Sequence, residues 1–77
     1  MCLYNVFKNK TTKEYYIDRA ERGFVDIAFE QGWRVFTQVD TVRTLEDVQN
    51  NIPLQQGEVI LDQYEFANML VERSNYY

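Results

Sequence analysis

Histidine is absent from this chain of 77 residues, and serine, cysteine and proline occur once each. Without histidine the chain lacks the commonest general base and metal ligand, which excludes a Ser-His-Asp or Cys-His catalytic arrangement. The single cysteine, Cys2, cannot close an internal disulfide, and a Cys/His zinc site needs about four such ligands. The three glycines are isolated, so no glycine-rich phosphate loop can be written. We therefore expect a protein that is not an enzyme, has no catalytic residues, cofactor or metal, and works by binding.

Long apolar runs are also missing. No stretch approaches the roughly 20 apolar residues that span a bilayer, and the N-terminal segment lacks the basic-then-apolar order of a signal peptide. A lone cysteine without an export signal is typical of cytoplasmic proteins. The length fits one domain, residues 1–77, which we expect to be cytoplasmic and to make no membrane contact.

The N-terminal half predicts a hairpin followed by a helix. Leu3–Lys8 and Glu14–Asp18 are rich in Tyr, Val, Phe and Ile and flank a short polar connection, as antiparallel hairpin strands do. Ala20–Gln31 has helical apolar spacing, and Asp18 with Glu21 has the spacing of a capping box.

The C-terminal half alternates strand and helix. Trp33–Val39 alternates strictly, Gly57–Leu61 is a short apolar strand, and a short helix between them is stopped by Pro53. The cap pairs of this helix and the last one are Thr44/Asp47 and Asp62/Glu65. The last helix runs from Gln63 to about Ser74, with a predicted buried stripe of Phe66, Ala67, Leu70 and Val71.

The predicted order is β-β-α-β-α-β-α. It indicates an α+β domain with a small sheet of about four strands, an N-terminal antiparallel hairpin, and about three helices on one face. The strand order is not fixed by the sequence.

Aromatic residues make up 16% of the chain, more than a small core needs. If helices cover one face of the sheet, Tyr16 and Phe36 lie on the other, and Tyr64 lies at the edge of a helical stripe. Tyr and Phe are enriched in the buried centres of interfaces, which makes these three candidate partner-binding residues. The alternative is that a loop or the Tyr76-Tyr77 tail covers the bare face.

The net charge of −4 is unevenly spread. Residues 44–77 hold six carboxylates and one arginine, and Glu65 and Glu72 on the last helix could meet a basic groove. The alternative is an ordinary solvated helix face with acids at its N-terminus. Residues 1–13 hold Lys8, Lys10 and Lys13 and no acid. These lysines could touch phosphate, although the acidic balance argues against nucleic acid as a direct partner.

We therefore expect a small acidic protein-binding module. In size, acidity, aromatic content and lack of catalytic groups it resembles, in type only, the small accessory proteins of phages and mobile elements. Anti-CRISPR and anti-restriction proteins of that type inhibit a host nucleic-acid enzyme by binding it. Two alternatives stay open: a homodimer that covers its own aromatic sheet face, and a nucleic-acid binder acting through the Lys8/Lys10/Lys13 hairpin.

Overall fold

The computed structural model describes residues 2–74; Tyr76 and Tyr77 lie outside this range. Its strands are β1 (Cys2–Asn9), β2 (Glu14–Arg19), β3 (Trp33–Thr41) and β4 (Val59–Leu61). Its helices are α1 (Asp26–Glu30), α2 (Leu45–Asn50) and α3 (Gln63–Ser74), with a 3₁₀ turn at Ala20–Arg22. The predicted α+β class and element order are confirmed.

The four strands form one mixed sheet in the order β3-β1-β2-β4. The central strand β1 pairs antiparallel with β2 and with β3, whereas β4 pairs parallel with β2. A parallel neighbour requires a long crossover, which the segment from the 3₁₀ turn through α2 supplies. The two edges of the sheet are therefore the nine-residue β3 and the three-residue β4.

Asn9 is fully buried and organises the β1–β2 turn. Its Oδ1 accepts hydrogen bonds from the backbone N–H groups of Thr11 (3.1 Å) and Thr12 (3.3 Å). Its Nδ2 donates to the backbone oxygen of Gln31 at 3.0 Å. Asparagine commonly closes turns in this way, and here the same side chain also holds the loop that leads into β3.

We predicted about three helices on one face of the sheet, but the structure has helices on both faces. Tyr16 packs with Phe66 of α3 in one core cluster, whereas its neighbour Tyr15 packs with Val48 of α2 in another. Successive side chains on a strand point to opposite faces. Helices α1 and α3 therefore cover a first face of the sheet, and α2 covers a second face with its own short apolar stripe.

A bulge interrupts β3, so its predicted strict alternation is wrong. Phe7 pairs with Val35, but the preceding Val6 pairs with Thr37, which leaves Phe36 as an extra residue. Because a one-residue insertion reverses the side-chain pattern beyond it, Val35 and Thr37 point to opposite faces. The ring of Phe36 lies beside Tyr15 on the second face.

The predicted helix over Ala20–Gln31 is wrong in its first half. Gly23 has φ +68°, which ends the 3₁₀ turn, and α1 begins only at Asp26. Asp18 does not cap this segment. Its carboxylate instead accepts from the backbone N–H of Arg19 (2.8 Å) and the hydroxyl of Tyr16 (2.9 Å).

The other two predicted helix caps are confirmed. The Thr44 hydroxyl accepts from the N–H of Asp47 at 3.2 Å. Asp62 accepts from the N–H of Glu65 at 2.7 Å, and Glu65 accepts from the N–H of Asp62 at 3.0 Å. The second pair is a reciprocal capping box that fixes where α3 starts.

Candidate interaction surfaces

Helix α3 is rotated relative to its predicted buried stripe, of which Phe66 and Leu70 are buried as predicted. The ring of Phe66 stacks on Tyr16, with centroids 3.8 Å apart and planes 2° from parallel. In this orientation Met69 and Leu70 are buried beside Phe66, whereas Ala67 and Val71, predicted to be in the core, are exposed. The helix thus has more apolar circumference than the sheet covers.

Three of the predicted partner-binding residues lie on the exposed side of α3, namely Tyr64, Glu65 and Glu72. Tyr64 is 79% exposed and Val71 68% exposed, and with Ala67 they follow the i, i+3, i+7 spacing of one helix face. Glu65 and Glu72 flank this apolar strip. We call these five residues the α3 outer face. A shallow depression of about 420 Å³ lies at its N-terminal end, beside Tyr64 and Ala67.

The two acidic residues of the α3 outer face differ in availability. One carboxylate oxygen of Glu65 is engaged in the capping box. Glu72 is exposed and has no ion-pair partner among residues 2–74. Of the two, Glu72 is the freer to meet a cation on a partner.

Tyr16 was predicted to bind a partner, and the structure places it in the core instead, with 5% of its surface exposed. Its hydroxyl donates to Asp18. Burial raises the pKa of this hydroxyl, and the neighbouring Asp18 carboxylate raises it further. The prediction failed because it placed all helices on the face opposite Tyr16, whereas α3 packs directly on its ring.

Phe36 is 57% exposed and lies on a second surface, apart from α3. It belongs to the edge strand β3 on the second face, where its ring meets Tyr15 edge-on at a centroid distance of 5.9 Å. Helix α3 contacts β2 and β4 on the first face. The five predicted residues therefore divide into a helix surface, a buried tyrosine and an edge-strand phenylalanine.

The three hairpin lysines do not act as one cluster. The Nζ of Lys8 lies 3.1 Å from a carboxylate oxygen of Glu58 and 5.0 Å from the centre of the Tyr15 ring. The Tyr15 hydroxyl and Glu58 together raise the pKa of Lys8. Lys10 and Lys13 are exposed and have no ion-pair partner among residues 2–74.

A concavity beside Phe36 was not predicted from the sequence. Its volume is about 400 Å³, and its walls come from the hairpin tip and from the start of β3. The lining residues are Lys8, Lys10, Thr11, Gly32, Arg34, Val35 and Phe36. The two segments are brought together by the pairing of β1 with β3, in which Lys8 lies opposite Arg34, and by Asn9, which bonds to both walls. Contacts between such distant segments are not visible as a sequence pattern.

Metal-ligating residues do not gather within residues 2–74: no three His, Cys, Asp or Glu side chains come close enough to hold an ion. Over the same range no helix has the length and apolar character needed to cross a membrane. Comparisons with family models, curated proteins and solved structures find no match. The function is therefore argued from the surfaces alone.

Proposed function

We propose that this domain is a protein-binding module that docks through the α3 outer face. The observation that carries the proposal is the strip of Tyr64, Ala67 and Val71, exposed on a helix whose opposite side already fills the core. Surface helices usually carry polar residues on the side that faces water. An apolar strip there, headed by a tyrosine, is typical of a helix that packs into a groove on a partner.

The charges beside the strip indicate what kind of partner it fits. Glu65 and Glu72 lie next to the apolar residues, and no arginine or lysine of residues 2–74 is ion-paired to either of them. A partner groove with an apolar floor and a basic rim is complementary to this surface. Basic grooves are found on enzymes that process nucleic acids, so we propose an inhibitor of the anti-CRISPR or anti-restriction type as the more specific function.

The experiment is affinity capture from cells of the source with the immobilised domain. A double variant, Tyr64→Ser with Val71→Ser, is expected to lose the captured protein because it removes the apolar strip. Phe36→Ser is the matched control, since it removes an exposed apolar side chain from the other surface. Equal capture by wild type and the double variant would show that α3 is not the docking helix.

A charge test examines the partner's basic rim. Glu72→Lys is expected to weaken binding to the captured protein and to reduce its salt sensitivity, because one favourable long-range pair becomes repulsive. Titration of the purified partner at two ionic strengths measures both. An unchanged affinity at low salt would contradict a basic rim.

A homodimer is the second candidate, because Val35 and Phe36 are half exposed on the free edge strand β3 and Val42 just beyond it is more exposed still. A second copy that covers this edge would bury all three. Sedimentation equilibrium distinguishes the two candidates, since a monomer at tens of micromolar rules out a stable dimer.

A further inference from the structure

We propose that the concavity beside Phe36 binds a phosphate group that adjoins an unpaired nucleobase. This site is separate from the α3 outer face and does not depend on it. The ligand chemistry is shared by a free nucleotide and by a single-stranded nucleic acid, and the test below distinguishes them.

The charge of the concavity is opposite to that of the chain. Lys8, Lys10 and Arg34 line it, and no carboxylate of residues 2–74 does. Glu58 neutralises Lys8 from outside the lining, whereas Lys10 and Arg34 have no ion-pair partner among residues 2–74. Charges beyond about 8 Å are largely screened at physiological salt. A ligand at this position therefore meets two unpaired cations, although the net charge of the chain is −4.

Arg34 is held in place before any ligand arrives. Its Nη1 donates to the backbone oxygens of Phe29 (2.8 Å) and Trp33 (2.6 Å), and its guanidinium lies 5.5 Å from the centre of the Phe29 ring. Guanidinium has five N–H donors, and no other hydrogen bond of this group is made within residues 2–74. The remaining donors form the planar fork that suits phosphate oxygens.

The walls of the concavity are fixed by buried groups. Asn9 bonds to the backbone of Thr11 on one wall and to Gln31, next to Gly32, on the other. Gly32, which lies beside the Asn9 amide, has φ +99°, a backbone conformation that favours glycine. The backbone segments that carry Lys10 and Arg34 are thereby fixed relative to each other before binding, which reduces the ordering cost.

Phe36 provides an aromatic surface beside these cations. Its ring is supported by Tyr15 edge-on and by the Nζ of Lys8, 5.3 Å from its centre, and more than half of the residue remains exposed. Bases stack on aromatic side chains of this kind in single-stranded complexes, and each stack contributes about 1–3 kcal/mol. A supported ring next to two unpaired cations matches a base and its phosphate better than a bare anion.

The test uses amide chemical shifts of the full chain at low salt, with four probes added separately. These are thymidine 5′-monophosphate, an oligothymidylate of about eight nucleotides, thymidine, and inorganic phosphate. The expected result is a saturable shift confined to the amides of the concavity with the nucleotide or the oligonucleotide. Tighter binding of the oligonucleotide identifies a strand as the natural source, and equal binding identifies a free nucleotide. No shift with either probe, or equal affinity for inorganic phosphate, overturns the proposal.

Matched variants exclude a diffuse charge effect. Lys10→Glu is expected to weaken binding about tenfold, the loss of one charge-assisted contact. For a strand it should also lower the salt slope by about 0.7. Arg43→Glu makes the same change in net charge beyond the far end of β3 and is expected to have little effect. Phe36→Ser tests stacking at a position outside the core. If Arg43→Glu weakens binding as much as Lys10→Glu, the concavity is not the site. None of these variants alters the α3 outer face, so the two proposals fail independently.

Discussion

The two faces of the sheet are stabilised in different ways. On the first face, α1 and α3 cover a continuous aromatic stack in which Phe66 meets Tyr16 and Trp33, and Tyr16 lies near Phe7. On the second face, the six-residue α2 covers aliphatic side chains and two tyrosines, and the Phe36 end of β3 is left open. The aromatic residues within 2–74 therefore have three destinations: five rings pack in the first core cluster, Tyr4 and Tyr15 lie in the second, and Phe29, Phe36 and Tyr64 are exposed.

The largest expected effect comes from breaking the first face. Phe66→Ala removes the ring that contacts Tyr16 and Trp33. A phenylalanine-to-alanine change in a core costs about 3–5 kcal/mol in the free energy of unfolding. Urea denaturation followed by circular dichroism measures it, and a loss below about 1 kcal/mol would place the ring outside the core.

A core substitution on the second face should cost less in the free energy of unfolding. Val48 is the buried contact of α2, and Val48→Ala removes two methyl groups, which corresponds to about 2 kcal/mol with the resulting cavity. The same denaturation experiment provides the comparison. A cost equal to that of Phe66→Ala would mean that the two faces contribute alike.

Acid should lower the free energy of unfolding through two glutamates, Glu14 and Glu58, whose pKa values are lowered in the folded state. Burial acts to raise the pKa of Glu14, but hydrogen bonds from Arg73 and Thr12 outweigh it and the pKa is lowered. The pKa of Glu58 is lowered by the backbone N–H of Gln55 and by Lys8. A lowered folded-state pKa gives stability that is present above the unfolded pKa, about 4.3 for Glu, and lost as pH falls through the folded value. The free energy of unfolding should therefore decline in acid below that point.

Glutamine variants assign the acid response to each face. Glu14→Gln breaks the contact with Arg73 of α3, and Glu58→Gln breaks the contact with Lys8 on the second face. Each should flatten part of the acid decline between about pH 5 and pH 2. Denaturation of both variants at several pH values checks this, and an unchanged profile in both would assign the acid response to other groups.

The smallest effect is expected at Phe36. Because more than half of its surface is already exposed, Phe36→Ser should change the free energy of unfolding by no more than about 0.5 kcal/mol. A loss as large as that of Val48→Ala would show that the ring belongs to the second core cluster and not to a surface.

The parts of the fold that were predicted correctly depend on local sequence patterns. The start of α3 and the cap of α2 depend on residues three positions apart, and Asp62 with Glu65 is such a pair. The hairpin joins two strands that are neighbours in the chain. The failures involve contacts between distant residues. Which side of α3 is buried depends on the contact between Phe66 and Tyr16, fifty positions earlier. The bulge at Phe36 depends on how β1 pairs with β3.

The candidate surfaces show the same limit. Tyr64, Glu65 and Glu72 could be chosen as candidates because surplus aromatics and clustered acids are visible in one helix, and all three are exposed. Tyr16 was misplaced because its neighbour across the sheet was unknown. Arg34 was not among the predicted site residues because its position beside Lys8 depends on how β1 pairs with β3, which no local pattern indicates.

The bulge at Phe36 has a consequence that we expect for assembly through the free edge of the sheet. A nine-residue strand at a sheet edge exposes unpaired backbone groups that can recruit further strands into fibrils. The extra residue divides this edge into two short segments whose side-chain alternation is out of step. An incoming strand therefore cannot pair regularly along the whole edge. We therefore expect Phe36, whose side chain is exposed, to be also the residue that hinders regular strand addition at this edge.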